Sequence, residues 1–216
     1  MLGLATERWT AVTGAEGHAA QVHALAAPAM RPQDALLVGN WTDPALLAGE
    51  MFDTVLADYL LGAVEGFAPY FQSELFARLR PLTRRRLYVT GVEPYVVARP
   101  ADEAGALVWE IGRFRDACLT LAGEQHYREY PIDWVLAQLR KSGFTPVAAR
   151  KFPIRYKARF VNGQIDMCRS RLDALGGIGQ ALIAHGEALR DRALAHVEAH
   201  GSLRHGFDYV IAADPV

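Results

Sequence analysis

Acidic and aromatic residues directly follow short apolar stretches of this sequence, and they are the residues best suited to chemistry. Asp58 and Tyr59 follow the stretch FDTVLA, and Glu93 and Tyr95 follow RLYVTGV. Carboxylates can act as general bases, and ligands of open α/β sheets bind at the carboxyl ends of the strands. The pattern therefore predicts a ligand-binding crevice at one edge of a sheet.

Two earlier apolar stretches end in the same way. Glu16 follows WTAVTGA, and Asn40 and Trp41 follow ALLVG. Each residue also has a structural interpretation: Glu16 as an acid favoured at a helix N-terminus, Asn40 as a turn former and Trp41 as a core aromatic. For Asp58 the structural alternative is a helix N-cap. Both interpretations remain open at the level of sequence.

A loop rich in charged and aromatic residues supplies a further candidate. The segment HYREYPIDW spans residues 126–134 and precedes a predicted helix. Loops that concentrate such side chains often bind ligands. His126 is its one residue that could titrate near neutrality and act as a base. The alternative is a surface turn whose tyrosine rings cover the core.

The composition limits the function classes. The chain has 216 residues, of which 51% are hydrophobic, and a formal net charge of −1. This length suits one α/β domain, and the charge gives no overall attraction for nucleic acid or an anionic membrane. No apolar run approaches the roughly 20 residues that span a bilayer, and no signal segment is evident. We expect a cytoplasmic protein in which Cys118 and Cys168 are reduced and buried.

The predicted elements alternate between strands and helices, which indicates a mostly parallel sheet with right-handed crossovers. Residues 1–8 are interpreted as the tail of a helix. Strands are predicted over residues 9–15, 35–38, 52–57, 87–92, 144–154 and 207–213, and helices over residues 17–27, 67–79, 104–122, 131–143 and 158–200, the last with a break near Gly176 and Gly177.

Three other motifs favour structural interpretations. His196 and His200 lie one helical turn apart, but Val197 stands where the zinc-hydrolase signature needs Glu, so a solvated helix end is favoured. The GxG at residues 177–179 follows a helical pattern rather than a strand, which disfavours a nucleotide loop and, with it, an oxidoreductase. Residues 84–86, three arginines, are interpreted as an exposed turn.

The order of these segments resembles the class I, S-adenosylmethionine-dependent methyltransferases. VTGAEG, VGNWTD, FDTVLADYLLGAV, RLYVTGVEP and GFDYVIAA are similar to successive strand ends of that family. The resemblance implies a Rossmann-like α/β sheet, mostly parallel with an antiparallel last strand. It also implies that Glu16 binds the ribose hydroxyls, that Asn40 and Trp41 flank the adenine, and that Asp58 and Tyr59 lie where methyl donor and acceptor meet.

The sequence departs from the family at its beginning. The family's first strand and glycine-rich loop should precede LGLATERWTAVTG, where they are absent. The expectation is thus a single domain over residues 1–216 that is N-terminally incomplete, with weakened cofactor binding. Three explanations stay open: truncation, replacement of the strand by another segment or a partner chain, and a degenerate relative.

Two functions follow from the resemblance. The first is methyl transfer to a small-molecule or protein acceptor, with Asp58, Glu93 or His126 as general base and no metal. A helical insertion over residues 158–200 would cover the acceptor. The second is a binding or scaffold protein that keeps the fold without catalysis. A homodimer that pairs open sheet edges is a further expectation.

Overall fold

The structure is a computed structural model and describes residues 5–172 and 175–216. Its elements, in chain order, are β1 (Thr10–Thr13), α1 (Glu16–Ala26), β2 (Ala35–Val38), β3 (Phe52–Asp58), α2 (Leu60–Ala63), α3 (Gln72–Leu79), β4 (Thr83–Val92), α4 (Glu103–Leu121), α5 (Ile132–Lys141), β5 (Phe144–Tyr156), α6 (Ala158–Leu172), α7 (Gly176–His200) and β6 (Leu203–Pro215).

The strands form two sheets. β1 and β2 pair in parallel, and the second sheet has the order β3-β4-β6-β5. In the second sheet β3 and β4 are parallel, whereas β6 is antiparallel to both β4 and β5. β6 is therefore the one reversed strand of this sheet. The predicted α/β fold with an antiparallel last strand is confirmed.

β1 and β3 lie near each other without pairing in the part of the chain that the structure describes. Arg8, before β1, forms an ion pair with Glu50, before β3, at 2.8 Å. At the other end, a Cβ added to Gly14 would stand 2.7 Å from the ring of Phe67. The two sheets are thus adjacent at both ends of these strands. The absence of a central family strand stays a prediction.

Two apolar clusters hold the fold together. The first lies between the larger sheet and helices α3 and α5, and includes Phe76, Leu139 and Ile211, all fully buried. The second joins α4 to α6 and α7. Burial of such side chains stabilises a fold by about 1.5–3 kcal/mol each. The insertion between β5 and β6 is helical as predicted and packs on α4; its role as a cover for an acceptor stays a prediction.

The helix predicted from residue 67 begins later than expected. α3 starts at Gln72, and residues 67–71 form a turn in which Tyr70 has a φ of 69°. Pro69 explains part of the difference, because it disfavours helical conformation at the preceding residue. The delay leaves Phe67 and Tyr70 exposed near the carboxyl end of β3.

The arginines at residues 84–86 belong to a strand, so their interpretation as a turn is wrong. β4 begins at Thr83 and pairs with β3 from Phe52 onward. Arg86 also forms a bidentate ion pair with Asp214 on β6, at 2.7 and 2.9 Å. Pairing on both sides extends the strand beyond its apolar part.

Other element boundaries differ by a few residues. β1 is shorter than the predicted strand, and β5 and β6 are longer. β5 continues past Pro153 because it is an edge strand, where a missing N–H costs no ladder hydrogen bond. Residues 5–9 are not helical; residues 1–4 of the predicted helix tail, and residues 173–174 near the predicted break, lie outside the described residues. Within the described part, none of the helices has the length and apolar character needed to cross a membrane.

Candidate functional site

The carboxyl end of β3 is locked to β4 by a threonine. The Thr90 hydroxyl donates to Asp58 Oδ1 at 2.8 Å and accepts from the Tyr59 backbone N–H at 3.0 Å. Thr90 can do both because it is the register partner of Asp58 across the β3–β4 ladder. This relay fixes the chain at the point where it leaves the sheet, and it leaves Asp58 exposed to solvent.

Tyr59 adopts a conformation that a bulky residue rarely takes. Its φ is 48° and its ψ 20°, in the left-handed region. Such strain, of order 1–3 kcal/mol, concentrates at functional sites. The side chain is 44% exposed. Partial burial together with the nearby Asp208 carboxylate raises the pKa of Tyr59 to about 12, so the phenol is neutral at physiological pH.

The carboxyl ends of β1 and β2 meet a common neighbour, Phe67, which follows α2. The Asn40 side-chain amide donates to the Phe67 backbone oxygen at 2.8 Å. Gly14, after β1, leaves the space that the Phe67 ring occupies. Since Phe67 lies eight residues after Tyr59, the segment 59–67 brings the ends of β1, β2 and β3 to one edge.

Asn40 forms a turn, and Trp41 packs against the core. The Asn40 Oδ1 atom accepts from the Thr42 N–H at 3.0 Å and from its hydroxyl at 2.9 Å, the bonding of an Asx turn. Trp41 is partly buried and packs against the first apolar cluster. The turn-former and core interpretations are confirmed, while adenine contact by this pair stays a prediction.

Glu16 is placed differently. It is the first residue of α1, exposed, and forms no hydrogen bond or ion pair with the described residues. The positive end of a helix dipole favours a carboxylate there. The Glu16 carboxylate is therefore free to accept hydrogen bonds from a ligand bound at the ends of the strands.

Glu93 and Tyr95, after β4, are held by protein groups. The Glu93 carboxylate accepts from the Ile132 N–H at 3.3 Å and lies 2.6 Å from Lys151 Nζ. The Tyr95 hydroxyl accepts from Arg115 at 2.7 Å, and its side chain is buried. The Glu93 carboxylate is thus paired with a lysine and held by a backbone N–H.

The loop at residues 126–134 contributes an inward-facing acid that the sequence reasoning missed. His126 makes no hydrogen bond or ion pair with the described residues. Glu129, by contrast, lies against α2: a Cβ added to Gly62 would stand 2.9 Å from Glu129 Oε2. Burial is the main cause that raises the pKa of Glu129 to about 7, and the negative charge of Asp208 adds to it.

Glu129 is the centre of a group that we call the tyrosine–carboxylate cluster. Its negative charge or that of Asp208 acts, after burial, to raise the pKa of each tyrosine in the group. The rings of Tyr95 and Tyr156 lie 6.4 Å apart. The cluster is drawn from the carboxyl ends of β3 and β5, the interior of β6 and the loops after β4 and α4, and consists of Tyr59, Tyr95, Glu129, Tyr156 and Asp208.

A separate cavity of about 720 Å³ lies between α4 and α7, lined in part by Arg99, Glu110, His196 and His200. The helix end predicted as solvated is exposed at residues 198–200, including His200, whereas the His196 side chain is mostly shielded and lies 3.4 Å from the Glu103 carboxylate. Among the described residues, no three metal-ligating side chains come together. The α4 residues that line this cavity belong to the N-terminal half of the helix, whereas Arg115, next to the tyrosine–carboxylate cluster, belongs to the C-terminal half.

Comparison with solved structures explains the arrangement. A Bacillus halodurans protein provisionally assigned as a methyltransferase aligns over 97% of this chain and 84% of its own, with 12% identity and a TM-score of 0.59. The chain has the class I methyltransferase fold. The YcgJ protein of Bacillus subtilis (11% identity, 95% and 81% coverage) gives a TM-score of 0.53. No protein-family model and no curated protein sequence matches the chain.

A further methyltransferase-fold structure was solved with a ligand. The mycolic acid cyclopropane synthase CmaA1, complexed with S-adenosylhomocysteine and CTAB, aligns over 95% of this chain and 69% of its own. Its identity to this chain is 15% and the TM-score is 0.52. At such identities the likeness establishes the fold alone.

In this methyltransferase fold, the residues missed by sequence reasoning are Thr90, Glu129 and Asp208. A signal existed for Asp208, since it is an acid within the apolar stretch FDYVIAA. Glu129 lies in the loop of residues 126–134, but the sequence does not show which side chain of that loop turns inward. Thr90 depends on the register between β3 and β4.

Proposed function

We propose that this protein binds S-adenosylmethionine at the carboxyl ends of β1–β3 and transfers its methyl group to an acceptor held by the tyrosine–carboxylate cluster. The observation that supports this most is the meeting of three strand ends along the segment 59–67, in a chain with the methyltransferase fold. Ligands of open α/β sheets bind at this edge.

The residues at this edge fit the proposed cofactor. Glu16 and Asp58 are exposed carboxylates suited to hydroxyl and ammonium groups, and the half-exposed ring of Phe67 offers an aromatic surface. Glu16 would bind the ribose hydroxyls, and Trp41 would border the adenine. The cofactor supplies a methyl group on a positively charged sulfur, which the nearby carboxylates complement.

The protein's own contribution to methyl transfer is position and charge. Aligning nucleophile and methyl carbon can supply about 7–11 kcal/mol of the barrier reduction. Tyr59, whose backbone N–H is held by Thr90, lies between the proposed cofactor site and the tyrosine–carboxylate cluster. Asp58 precedes it in the chain, and the Asp208 carboxylate lies beside its hydroxyl. Of the three bases predicted from sequence, Asp58 lies next to Tyr59 at this edge. Glu93 is paired with Lys151, and His126 makes no hydrogen bond or ion pair with the described residues.

Thermal-shift titration with S-adenosylmethionine and S-adenosylhomocysteine tests the proposal. Saturable stabilisation by both is expected, because a ligand that binds only the native state stabilises it by mass action. Glu16→Gln should weaken binding about tenfold by removing charge-assisted hydrogen bonds, at a loss of helix stability of no more than about 1 kcal/mol. Glu198→Gln, an exposed change on α7, is the matched control.

Two results would oppose the proposal. If neither compound stabilises the protein, cofactor binding is excluded for this chain. If both bind and no methyl transfer is detected with any acceptor class, the scaffold alternative is supported instead.

A further inference from the structure

The tyrosine–carboxylate cluster carries two negative charges for which the described residues provide no dedicated cation. Glu129 forms no ion pair or hydrogen bond with the described residues. The nearest guanidinium, that of Arg115, is already committed: it donates to Asp116 at 2.9 and 2.7 Å and to the Tyr95 hydroxyl at 2.7 Å. Carboxylates that are partly shielded from water and have no partner carry a desolvation cost, which a bound cation would relieve.

Asp208 is the second carboxylate of the cluster. Among the described residues it forms no ion pair, and burial raises its pKa. Its carboxylate lies beside the Tyr59 hydroxyl, and its negative charge is close enough to Glu129 to raise the pKa of that carboxyl. Two such carboxylates repel an anionic ligand and attract a cationic one.

The remaining members of the cluster are aromatic and fit the same kind of ligand. Tyr95 and Tyr156 present rings 6.4 Å apart, and Phe160 stacks on Tyr156 at 4.2 Å. Aromatic faces attract ammonium groups by about 0.5–2 kcal/mol. Tyr59, 44% exposed, leaves the cluster open toward solvent at the end of β3.

We propose that the methyl acceptor is an amine, bound as its ammonium form between Glu129 and Asp208 and deprotonated by Glu129. This inference rests on the proposed function. One ammonium proton passes to the Glu129 carboxylate, which leaves a nitrogen lone pair. The lone pair forms the N–CH₃ bond while the C–S bond breaks, the sulfonium becomes a neutral thioether, and the methylated amine carries the positive charge beside Asp208.

Glu129 suits this task better than the other acids of the edge. Asp58 accepts a hydrogen bond from Thr90 and is exposed, and Glu93 is neutralised by Lys151. A base is most effective when its pKa is near the working pH, and the unpaired, shielded position of Glu129 meets that condition. Gly62 lets it approach α2, since any larger side chain there would meet its carboxylate.

Three probes of nearly equal shape and different charge test the acceptor class. Benzylamine, benzyl alcohol and benzoate are titrated calorimetrically against the protein saturated with S-adenosylhomocysteine. Benzylamine should bind at least about tenfold more tightly than benzyl alcohol, and benzoate should bind most weakly of the three. Glu129→Gln and Asp208→Asn should each reduce the preference for the amine by about tenfold, and Glu198→Gln should leave it unchanged.

Each outcome is decisive for one of the two proposals. Failure of the wild-type protein to bind S-adenosylhomocysteine overturns the proposed function. If that compound binds but the probes bind equally, or none binds at millimolar concentration, or benzoate binds best, the amine inference is wrong. Retention of the amine preference by Glu129→Gln together with unchanged S-adenosylhomocysteine binding removes Glu129 from the proposal. A second readout is the pH dependence of the amine preference, which should follow the ionisation of Glu129 in the wild type and vanish in the glutamine variant.

Discussion

Replacing Glu129 by Gln should stabilise the protein above neutral pH. The carboxyl of Glu129 is partly buried within the tyrosine–carboxylate cluster, and loss of solvation is the main cause that raises its pKa from 4.5 to about 7. The charged form is therefore disfavoured in the native state relative to the unfolded state. Glutamine has almost the same shape as the protonated acid and cannot ionise, so it avoids this cost.

The magnitude and sign follow from the shift. One pKa unit corresponds to about 1.4 kcal/mol, so the cost of ionising Glu129 in the native state is about 3 kcal/mol. Below about pH 4.5 the acid is protonated in both states and contributes nothing. Between about pH 4.5 and pH 7 the native state holds the extra proton, and the free energy of unfolding falls as pH rises. Above that range the full cost is present.

Urea denaturation across this pH range measures the effect. The wild-type and Glu129→Gln proteins should have equal free energies of unfolding near pH 4, and near pH 8 the variant should be more stable by about 3 kcal/mol. Glu198→Gln, on the exposed surface of α7, should show no such pH dependence. Equal stabilities of wild type and Glu129→Gln at both pH values would refute the reasoning, because Glu129 would then have an ordinary environment.

Substitutions at three other positions test the fold. Phe76→Ala should lower the free energy of unfolding by about 3–5 kcal/mol, since Phe76 is fully buried in the first apolar cluster, and a loss below 1 kcal/mol in urea denaturation would contradict that packing. Asp102→Ala should cost about 1 kcal/mol in the same assay, because the Asp102 carboxylate caps α4 by accepting from the Gly105 N–H at 2.8 Å, whereas Asp102→Asn should cost less. Asp34→Asn should lower the melting temperature near neutral pH, because hydrogen bonds from Arg31 lower the pKa of Asp34 to about 2. The stabilisation by the Asp34 carboxylate is present above about pH 4 and is lost as the pH falls through about 2. A melting-temperature difference between wild type and variant that grows on acidification would contradict this.

The fold could be predicted where apolar patterning and tertiary pairing agree. The carboxyl ends of the strands at Val38, Asp58 and Val92 agree with the prediction within about a residue, because each is a short apolar run with a polar stop. The strand position of Arg86 was not predicted, because it depends on tertiary partners: Thr54 across the β3–β4 ladder, and Asp214, 128 residues away, in an ion pair. Sequence periodicity carries no information about such a distant partner.

The candidate site was predictable to a smaller degree. The strand-end positions of Asp58 and Tyr59 followed from the pattern, and the structure places both at the sheet edge. Glu129 could not be separated from His126, because both lie in one loop and the choice of the inward residue is set by the contact with Gly62. Which side chain of a loop faces the protein interior depends on tertiary contacts, and the local sequence determines it only weakly.

Calorimetric titration of the wild-type protein with S-adenosylhomocysteine probes the sheet edge most directly, with Glu16→Gln as the paired variant. Saturable binding of one molecule per chain is expected, with about tenfold weaker binding by the variant. No saturable heat from the wild type, or equal affinity of the two proteins, would contradict an adenosyl site at the ends of β1, β2 and β3.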